Sequence, residues 1–396
     1  MMMEQLFTYI DKIGNILAVM SDEIFDNPEI GYEEYKARDL LTKFLADNGF
    51  EVEHGAGGLA TAFKAVYQSG AGGPAIGLLC EYDAVEHHGH VCGHHMQGPA
   101  IIGATLALKD VLKDEAFRIV VYGTPGEETF GGKIDMLEKG CFRDIDVALM
   151  FHAGPTTTTD VRSLAMSSFA VKFHGKSSHA AISPHHGRSA LDALLLAFNA
   201  IEFMREHVKE DTRIHYTITN AGGPDNVVPA AAAATFSLRS YDRVYLDTVI
   251  ERFKKILDGA ALMTETTYTL TADKPYNNKI PVYGLNELLM KNAALAGAER
   301  IRSPREKTGS TDFGNVMHEV PGTCIRVAFV AEDAQPHSNE FYNAGKSDAA
   351  HRAIIIAAKA LAASAYELIA DKGLMARVKD EFAANKANAC ALAINN

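Results

Sequence analysis

The segment His90-Val-Cys92-Gly-His94-His95 gathers a thiol and several imidazoles into one short stretch, and Pro125-Gly-Glu127-Glu128 adds a carboxylate pair further along. Borderline-soft divalent ions take sulfur, nitrogen and oxygen ligands together. Two adjacent carboxylates at a strand end can point in different directions, so one can bind metal while the other moves a proton. The combination reads as a metal-assisted hydrolase. His152 directly follows an apolar strand ending at Phe151, so its ring could enter the same cleft. His337-Ser338 lies far along the chain and carries little metal signal alone. His87 and His88 read as a solvated loop, and the plain alternative for Cys92 is an inert buried thiol. A nucleophilic pairing of Cys92 with a nearby histidine stays open, but it leaves Glu127, Glu128 and His152 without a role. The chain has no Gly-x-Ser-x-Gly elbow, no His-Glu-x-x-His and no Walker loop.

The elements that must position these residues alternate in type. Residues 4–20 and 35–49 carry helical apolar periodicity. Ala75-Ile-Gly-Leu-Leu-Cys80, Phe117-Arg-Ile-Val-Val-Tyr122 and Val147-Ala-Leu-Met-Phe151 are short apolar runs that read as buried strands, with helices at 98–113 and 132–139 between them. This alternation predicts a parallel or mixed sheet with helices on its faces. The candidate chemistry then falls just beyond the carboxyl ends of the strands, where open α/β sheets place ligands. The pattern changes near residue 166. Strand, helix, strand, strand, helix and strand follow in the ferredoxin-like order. After about 283 the first pattern returns, with a helix at 284–297, a strand at 323–329 and an Ala-rich helix at 347–371. The expected fold is α/β. A mixed-sheet domain of residues 1–165 plus 281–396 carries an inserted α+β domain of residues 166–280.

A chain of 396 residues suits two domains. A net charge of -12 argues against nucleic acid and against an anionic membrane surface as partners. The five cysteines, Cys80, Cys92, Cys141, Cys324 and Cys390, are scattered and odd in number, which fits a reducing compartment. No basic leader or small-residue cleavage site opens the sequence, and no apolar run approaches a spanning length. The expectation is a cytoplasmic protein.

Taken together, the motifs resemble the M20 metallopeptidase/amidohydrolase family from end to end, and within it the cysteine-containing branch of aminobenzoyl-glutamate hydrolases, N-acyl-amino-acid hydrolases and dipeptidases. The stretches that carry the resemblance begin with Pro28-Glu-Ile-Gly-Tyr-Glu33, Glu81-Tyr-Asp83-Ala, Gly89-His-Val-Cys-Gly-His94 and Pro125-Gly-Glu-Glu128. Lys176-Ser-Ser-His179-Ala-Ala, Asn226-Val-Val-Pro229, Ser237-Leu-Arg239, Gly309-Ser-Thr-Asp-Phe-Gly-Asn315 and His337-Ser338 follow in the family's order. The resemblance implies two divalent metal ions per subunit, zinc first, with manganese, cobalt or nickel open. Cys92, His94, Glu128, His152 and His337 fall on its ligand positions and Glu127 on its general base. Asp83 falls on an orienting acid, and His95, next to the ligand His94, stands where the branch more often carries Asp or Asn. The smaller domain, 166–280, becomes a lid that also makes a homodimer. From it, His179 reaches the partner subunit's site, while Asn226 and Arg239 hold the substrate carboxylate or the oxyanion. The implied substrate is a small amide with a free carboxylate: an N-acyl amino acid, an aminobenzoyl-glutamate-like conjugate or a dipeptide. The rivals are a deacetylase or carbamoyl-type amidohydrolase on a non-peptide metabolite, and a non-catalytic binding protein on this scaffold.

Overall fold

Parallel strands built from the apolar runs form the centre of a mixed sheet. The computed structural model describes residues 2–391. In chain order the strands are β1 (Glu51–His54), β2 (Phe63–Ser69), β3 (Ala75–Cys80), β4 (Phe117–Gly123), β5 (Val147–Gly154), β6 (Thr158–Thr159), β7 (Ala165–His174), β8 (Arg213–Asn220), β9 (Ala231–Ser240), β10 (Thr267–Ala272) and β11 (Gly322–Ala328). The chain divides into two compact units, one of Met1–Ser163 with Lys279–Asn388 and one built on Leu164–Asn278. Residues 392–396, included in the expected catalytic domain, lie outside the described residues.

The first unit holds a seven-stranded sheet in the order β1-β2-β4-β3-β5-β11-β6. β4, β3, β5 and β11 run parallel, whereas β1, β2 and β6 pair antiparallel. The continuous apolar runs are explained by two covered faces. Leu78, Val121, Leu149 and Ile325 point into one core, made with helices Met2–Asp26, Gln97–Val111, Tyr283–Leu295 and Asp348–Ala370. Alternate residues Leu79, Val120, Met150 and Cys324 point into the other, against Met136, Phe142, Phe313 and Met317. A strand buried on both faces cannot show the apolar-polar alternation of a half-exposed one. Asp348–Ala370 is long and apolar enough by composition alone to cross a bilayer, a test that a buried core helix also passes. Its Ala353, Ile354, Ala357 and Leu361 are buried in the core of this unit.

The second unit is a four-stranded antiparallel sheet in the order β10-β7-β9-β8. Helices Ala190–Met204 and Arg243–Thr264 complete a β-α-β-β-α-β chain order. β7 alternates as its sequence requires, with Phe169, Val171 and Phe173 buried and Lys172 exposed. Both helices begin on side-chain caps. Ser189 Oγ accepts from the Asp192 N–H, and the Asp242 carboxylate accepts from the N–H groups of Val244 and Tyr245. The fold class read from the sequence, mixed-sheet α/β with an inserted ferredoxin-like unit, is the one observed.

Candidate active site

Each strand of the parallel centre ends on a loop that delivers chemistry. β3 runs into Glu81-Tyr-Asp83, and β4 runs through Thr-Pro-Gly into Glu127-Glu128. β5 carries His152 near its carboxyl end, and the loop beyond β11 carries His337. Cys92 and His94 precede helix Gln97–Val111, after a turn in which Gly93 adopts φ 87°. Gly126 takes φ 69° ahead of the two glutamates. Both are left-handed conformations that a side chain disfavours. His337 also lies there, at φ 63°, and its N–H donates to the Val91 carbonyl at 3.2 Å. Strain of this kind is retained where the surrounding structure over-determines a position.

The side chains from these loops converge. Ligand atoms of Cys92, His94 and His152 lie within 4.8 Å of one another, as do those of Cys92, Glu128 and His337, and of His94, Glu127 and Glu128. Cys92 Sγ is 3.5 Å from His152 Nε2, and His337 Nε2 is 3.3 Å from Glu128 Oε1. Asp83 ties two of the loops together. Its Oδ1 accepts from His94 Nδ1 at 2.9 Å, and its Oδ2 accepts from the Glu128 N–H at 2.9 Å. Donation from Nδ1 leaves the Nε2 lone pair of His94 pointing away from Asp83. That Nε2, 3.3 Å from Glu81 Oε2, is buried and makes no well-aligned hydrogen bond among the described residues. Buried polar atoms of this kind call for a partner. A borderline-soft divalent cation fits the mixed sulfur, nitrogen and oxygen set.

The electrostatics agree with that donor chemistry. Burial pushes the Cys92 thiol up, but His94 and His152 outweigh it and bring it down to about 6. Burial likewise opposes ionisation of Glu128, and His337 and His94 override it, holding the carboxyl at about 2. Glu127 behaves in the opposite way. Burial first, then the charges of Glu81 and Asp312, hold its carboxyl well above the ordinary range. Two neighbouring glutamates thus sit in environments that drive their proton affinities apart, a pattern typical of an acid/base pair.

Several contributors were not singled out in the sequence. Lys133 is fully buried, and its Nζ bonds Glu81 Oε1 at 2.5 Å and Asp312 Oδ1 at 2.8 Å. Glu81, Glu127 and Asp312 form a further cluster of converging oxygens around this region. Gln97 donates to Glu81 Oε2 at 2.7 Å and accepts from the Glu81 N–H. Arg326 Nη1 lies 3.0 Å from His152 Nδ1. Glu81 and Asp312 stand inside the motif stretches, so their acidic type beyond a strand was the available signal. Lys133 is a single lysine in a Gly-Gly-Lys context, with nothing in its spacing to mark it.

His95 turns away from the cluster. Its Nε2 bonds the Gly345 carbonyl at 2.9 Å, its ring packs edge-on against Phe25, and burial pulls its pKa down to about 4. His87 and His88 are exposed. The remaining motif residues belong to the second unit. His179 is exposed, and its Nδ1 accepts from the N–H groups of Ala181 and Ile182. Asn226 is exposed on the neighbouring loop, where its carbonyl accepts from the Ala180 N–H. Arg239 is half-buried on β9, opposite Arg213 of β8.

Comparison with known proteins bears on the family of the chain. Residues 165–264 match the M20 peptidase dimerisation domain. Xaa-Arg dipeptidase of Mus musculus is 34% identical over 394 residues, covering 94% of this chain and 90% of the relative. A p-aminobenzoyl-glutamate hydrolase chain of Escherichia coli (strain K12) is 31% identical over 463 residues, covering 96% of this chain and 95% of the relative. A crystal structure of a dinuclear metal binding peptidase of the M20 family from Bacillus subtilis superposes with a TM-score of 0.66 at 16% identity, covering 88% of this chain and 98% of that one.

Glu34 supports the glutamate loop from behind. It is buried, and its Oε1 accepts from the Gly126 N–H at 2.8 Å. Burial, and after it the charge of Asp83, push its carboxyl up from 4.5 to about 7. The folded chain therefore holds this proton more tightly than the unfolded chain. Its contribution to stability is full below pH 4.5 and is lost as pH rises to about 7. Glu34→Gln keeps an acceptor for Gly126 and removes the titration. Thermal unfolding should show the variant more stable than the parent by about 1–3 kcal/mol near pH 8, with the gap closing toward pH 4.5. An equal gap at both pH values would contradict the raised carboxyl.

Proposed function

The chain belongs to the M20 family of metallopeptidases and amidohydrolases, and on that premise we propose that it hydrolyses an amide bond adjacent to a free carboxylate, with Glu127 as the proton carrier. The substrate class is an N-acyl amino acid, an aminobenzoyl-glutamate-like conjugate or a small dipeptide. The observation that carries this reading is the overlap of two ligand triads at Cys92, with Glu127 beside them.

Two divalent ions per subunit would be held by Cys92, His94, Glu128, His152 and His337, with Asp83 orienting His94 and the Glu128 backbone. The thiolate favours zinc, with manganese, cobalt or nickel as alternatives that availability can impose. Bound there, the ions supply Lewis acidity toward an amide carbonyl and toward water. The remaining work falls to the chain. Glu127 accepts a proton from water as the water oxygen bonds to the carbonyl carbon. Its raised proton affinity suits it to hold that proton while the tetrahedral centre collapses. It then delivers the proton to nitrogen as the C–N bond breaks, so that a neutral amine departs. Lys133, held by Glu81 and Asp312, keeps a compensating positive charge against this acidic group.

The second unit is proposed as the lid and the homodimer-forming element, in keeping with the match of residues 165–264 to a dimerisation domain. His179 of the partner subunit would donate to the oxyanion, and Asn226 and Arg239 would grip the substrate carboxylate, Arg239 through paired N–H groups. The described cysteines Cys80, Cys92, Cys141 and Cys324 are all free thiols, and the reading assigns the protein to the reducing cytoplasm.

Glu127→Gln should retain its metal, measured by elemental analysis, while kcat falls roughly 10²–10⁴-fold. Turnover near that of the parent would remove Glu127 from the mechanism. Mixing inactive Glu127→Gln chains with inactive His179→Ala chains should restore part of the activity in reassembled dimers, since one hybrid site then has both groups. Hybrids that form but stay inactive would count against a histidine supplied across the dimer.

A further inference from the structure

Glu81 lines the same cavity of about 310 Å³ as Cys92, Glu128, His152 and His337, yet it stands outside the proposed ligand set. Its Oε2 lies 3.3 Å from His94 Nε2, the ring nitrogen that Asp83 does not engage. Two ligands of one tetrahedral zinc, each bound at about 2.0–2.2 Å, lie about 3.3–3.6 Å apart. Glu81 is therefore close enough to compete for an ion held by His94. A catalytic ion keeps a position open for water or substrate, and one more carboxylate would close it.

Two side chains restrain this carboxylate, one at each oxygen. Gln97 Nε2 donates to Oε2 at 2.7 Å, and Gln97 Oε1 accepts from the Glu81 N–H at 3.0 Å. One amide thus grips both the backbone and the carboxylate of the same residue and fixes the orientation of the second against the first. Lys133 Nζ donates to Oε1 at 2.5 Å and to Asp312 Oδ1 at 2.8 Å. The Lys133 N–H donates to Asp312 Oδ2 at 3.0 Å, so the lysine is itself anchored at its backbone and at its ammonium. Gln97 and Lys133 are fully buried, and Glu81 is 2% exposed. Buried bonds to an ionised carboxylate are strong and have no water to replace them, so the two donors hold Glu81 where it lies.

We propose that Gln97 and Lys133 are positioning residues that withhold Glu81 from the metal site, keeping its negative charge beside the ions while a coordination position stays open. This rests on the metal-hydrolase reading of the same cavity and adds what keeps its coordination incomplete. The sign of the effect separates this role from plain structural support. Removing a supporting partner of a metal site weakens metal binding, typically by about 10–100-fold. Releasing a withheld ligand strengthens it.

The test uses the full-length protein and Gln97→Met, which frees Oε2 with no change of charge. Lys133→Met is the second variant. Zinc affinity is measured by competition with a chelator, and the visible absorption bands of the cobalt-loaded protein report coordination number. Turnover is followed as free amine released from p-aminobenzoyl-L-glutamate, N-acetyl-L-amino acids and dipeptides. Gln97→Met should bind zinc about 10-fold more tightly than the parent, shift the cobalt bands and lower kcat. Adding Glu81→Gln to it should return zinc affinity and cobalt bands toward the parent. Lys133→Met should act in the same direction. Zinc bound equally or more weakly by Gln97→Met, with cobalt bands like those of the parent, would overturn the proposal. Tighter zinc in Lys133→Met alone would reduce the effect to a lost positive charge and would overturn it too. The expected shifts in Gln97→Met without turnover of any probe by the parent would keep the withholding and sink the hydrolase reading. Turnover by the parent with metal properties unmoved in Gln97→Met would do the reverse.

Discussion

Asp83 is the constraint on which the site depends. One oxygen receives the His94 ring N–H and the other the Glu128 backbone N–H, so a single buried carboxylate locks the loop after β3 to the loops that carry the imidazole and the glutamates. Ionised carboxylates are expensive to bury without partners, and here both oxygens are satisfied by groups that must themselves be held still. The result is a His94 ring with its second nitrogen presented to the cluster and a Glu128 whose backbone cannot drift. The parallel strands supply the frame. Their carboxyl ends lie side by side, and residues from β3, β4, β5 and the loop beyond β11 need only short loops to meet.

Much of the charge in this unit is structural as well as chemical. Lys133 has no route to water, yet it sits between Glu81 and Asp312 at hydrogen-bond distance. Removing one member of such a group leaves an uncompensated buried charge, so the members are interdependent. The same arrangement sets the proton affinities of the adjacent glutamates. Glu128 faces His337 and His94, which favour its ionised form, whereas Glu127 faces Glu81 and Asp312, which raise its affinity for a proton. Side chains one residue apart in sequence therefore acquire opposite tendencies from the elements they face.

The legible parts of the sequence were those with local signatures. Apolar runs such as Ala75–Cys80 and Val147–Phe151 marked the central strands, and the alternation of 168–174 marked a half-exposed one in the second unit. Cys92, His94, Glu127 and Glu128 were legible because thiol, imidazole and carboxylate lie close together in short motifs. His337 was weak by itself and gained weight only through the motif order. Lys133, Asp160 and Arg326 were not legible, since their meaning comes from partners such as Asp312 and Arg305, far away along the chain. His95 shows the limit of proximity. It adjoins His94, yet a short helical turn rotates it toward Phe25 and Gly345.

The central claim is that Cys92 and the surrounding imidazoles and carboxylate hold metal. X-ray absorption at the metal edge of the zinc-loaded protein tests it most directly. The account predicts a sulfur neighbour at about 2.3 Å together with nitrogen and oxygen neighbours at about 2.0–2.2 Å, with the sulfur signal gone in Cys92→Ala. A shell of nitrogen and oxygen alone in the parent protein, or a sulfur neighbour that persists in Cys92→Ala, would contradict it.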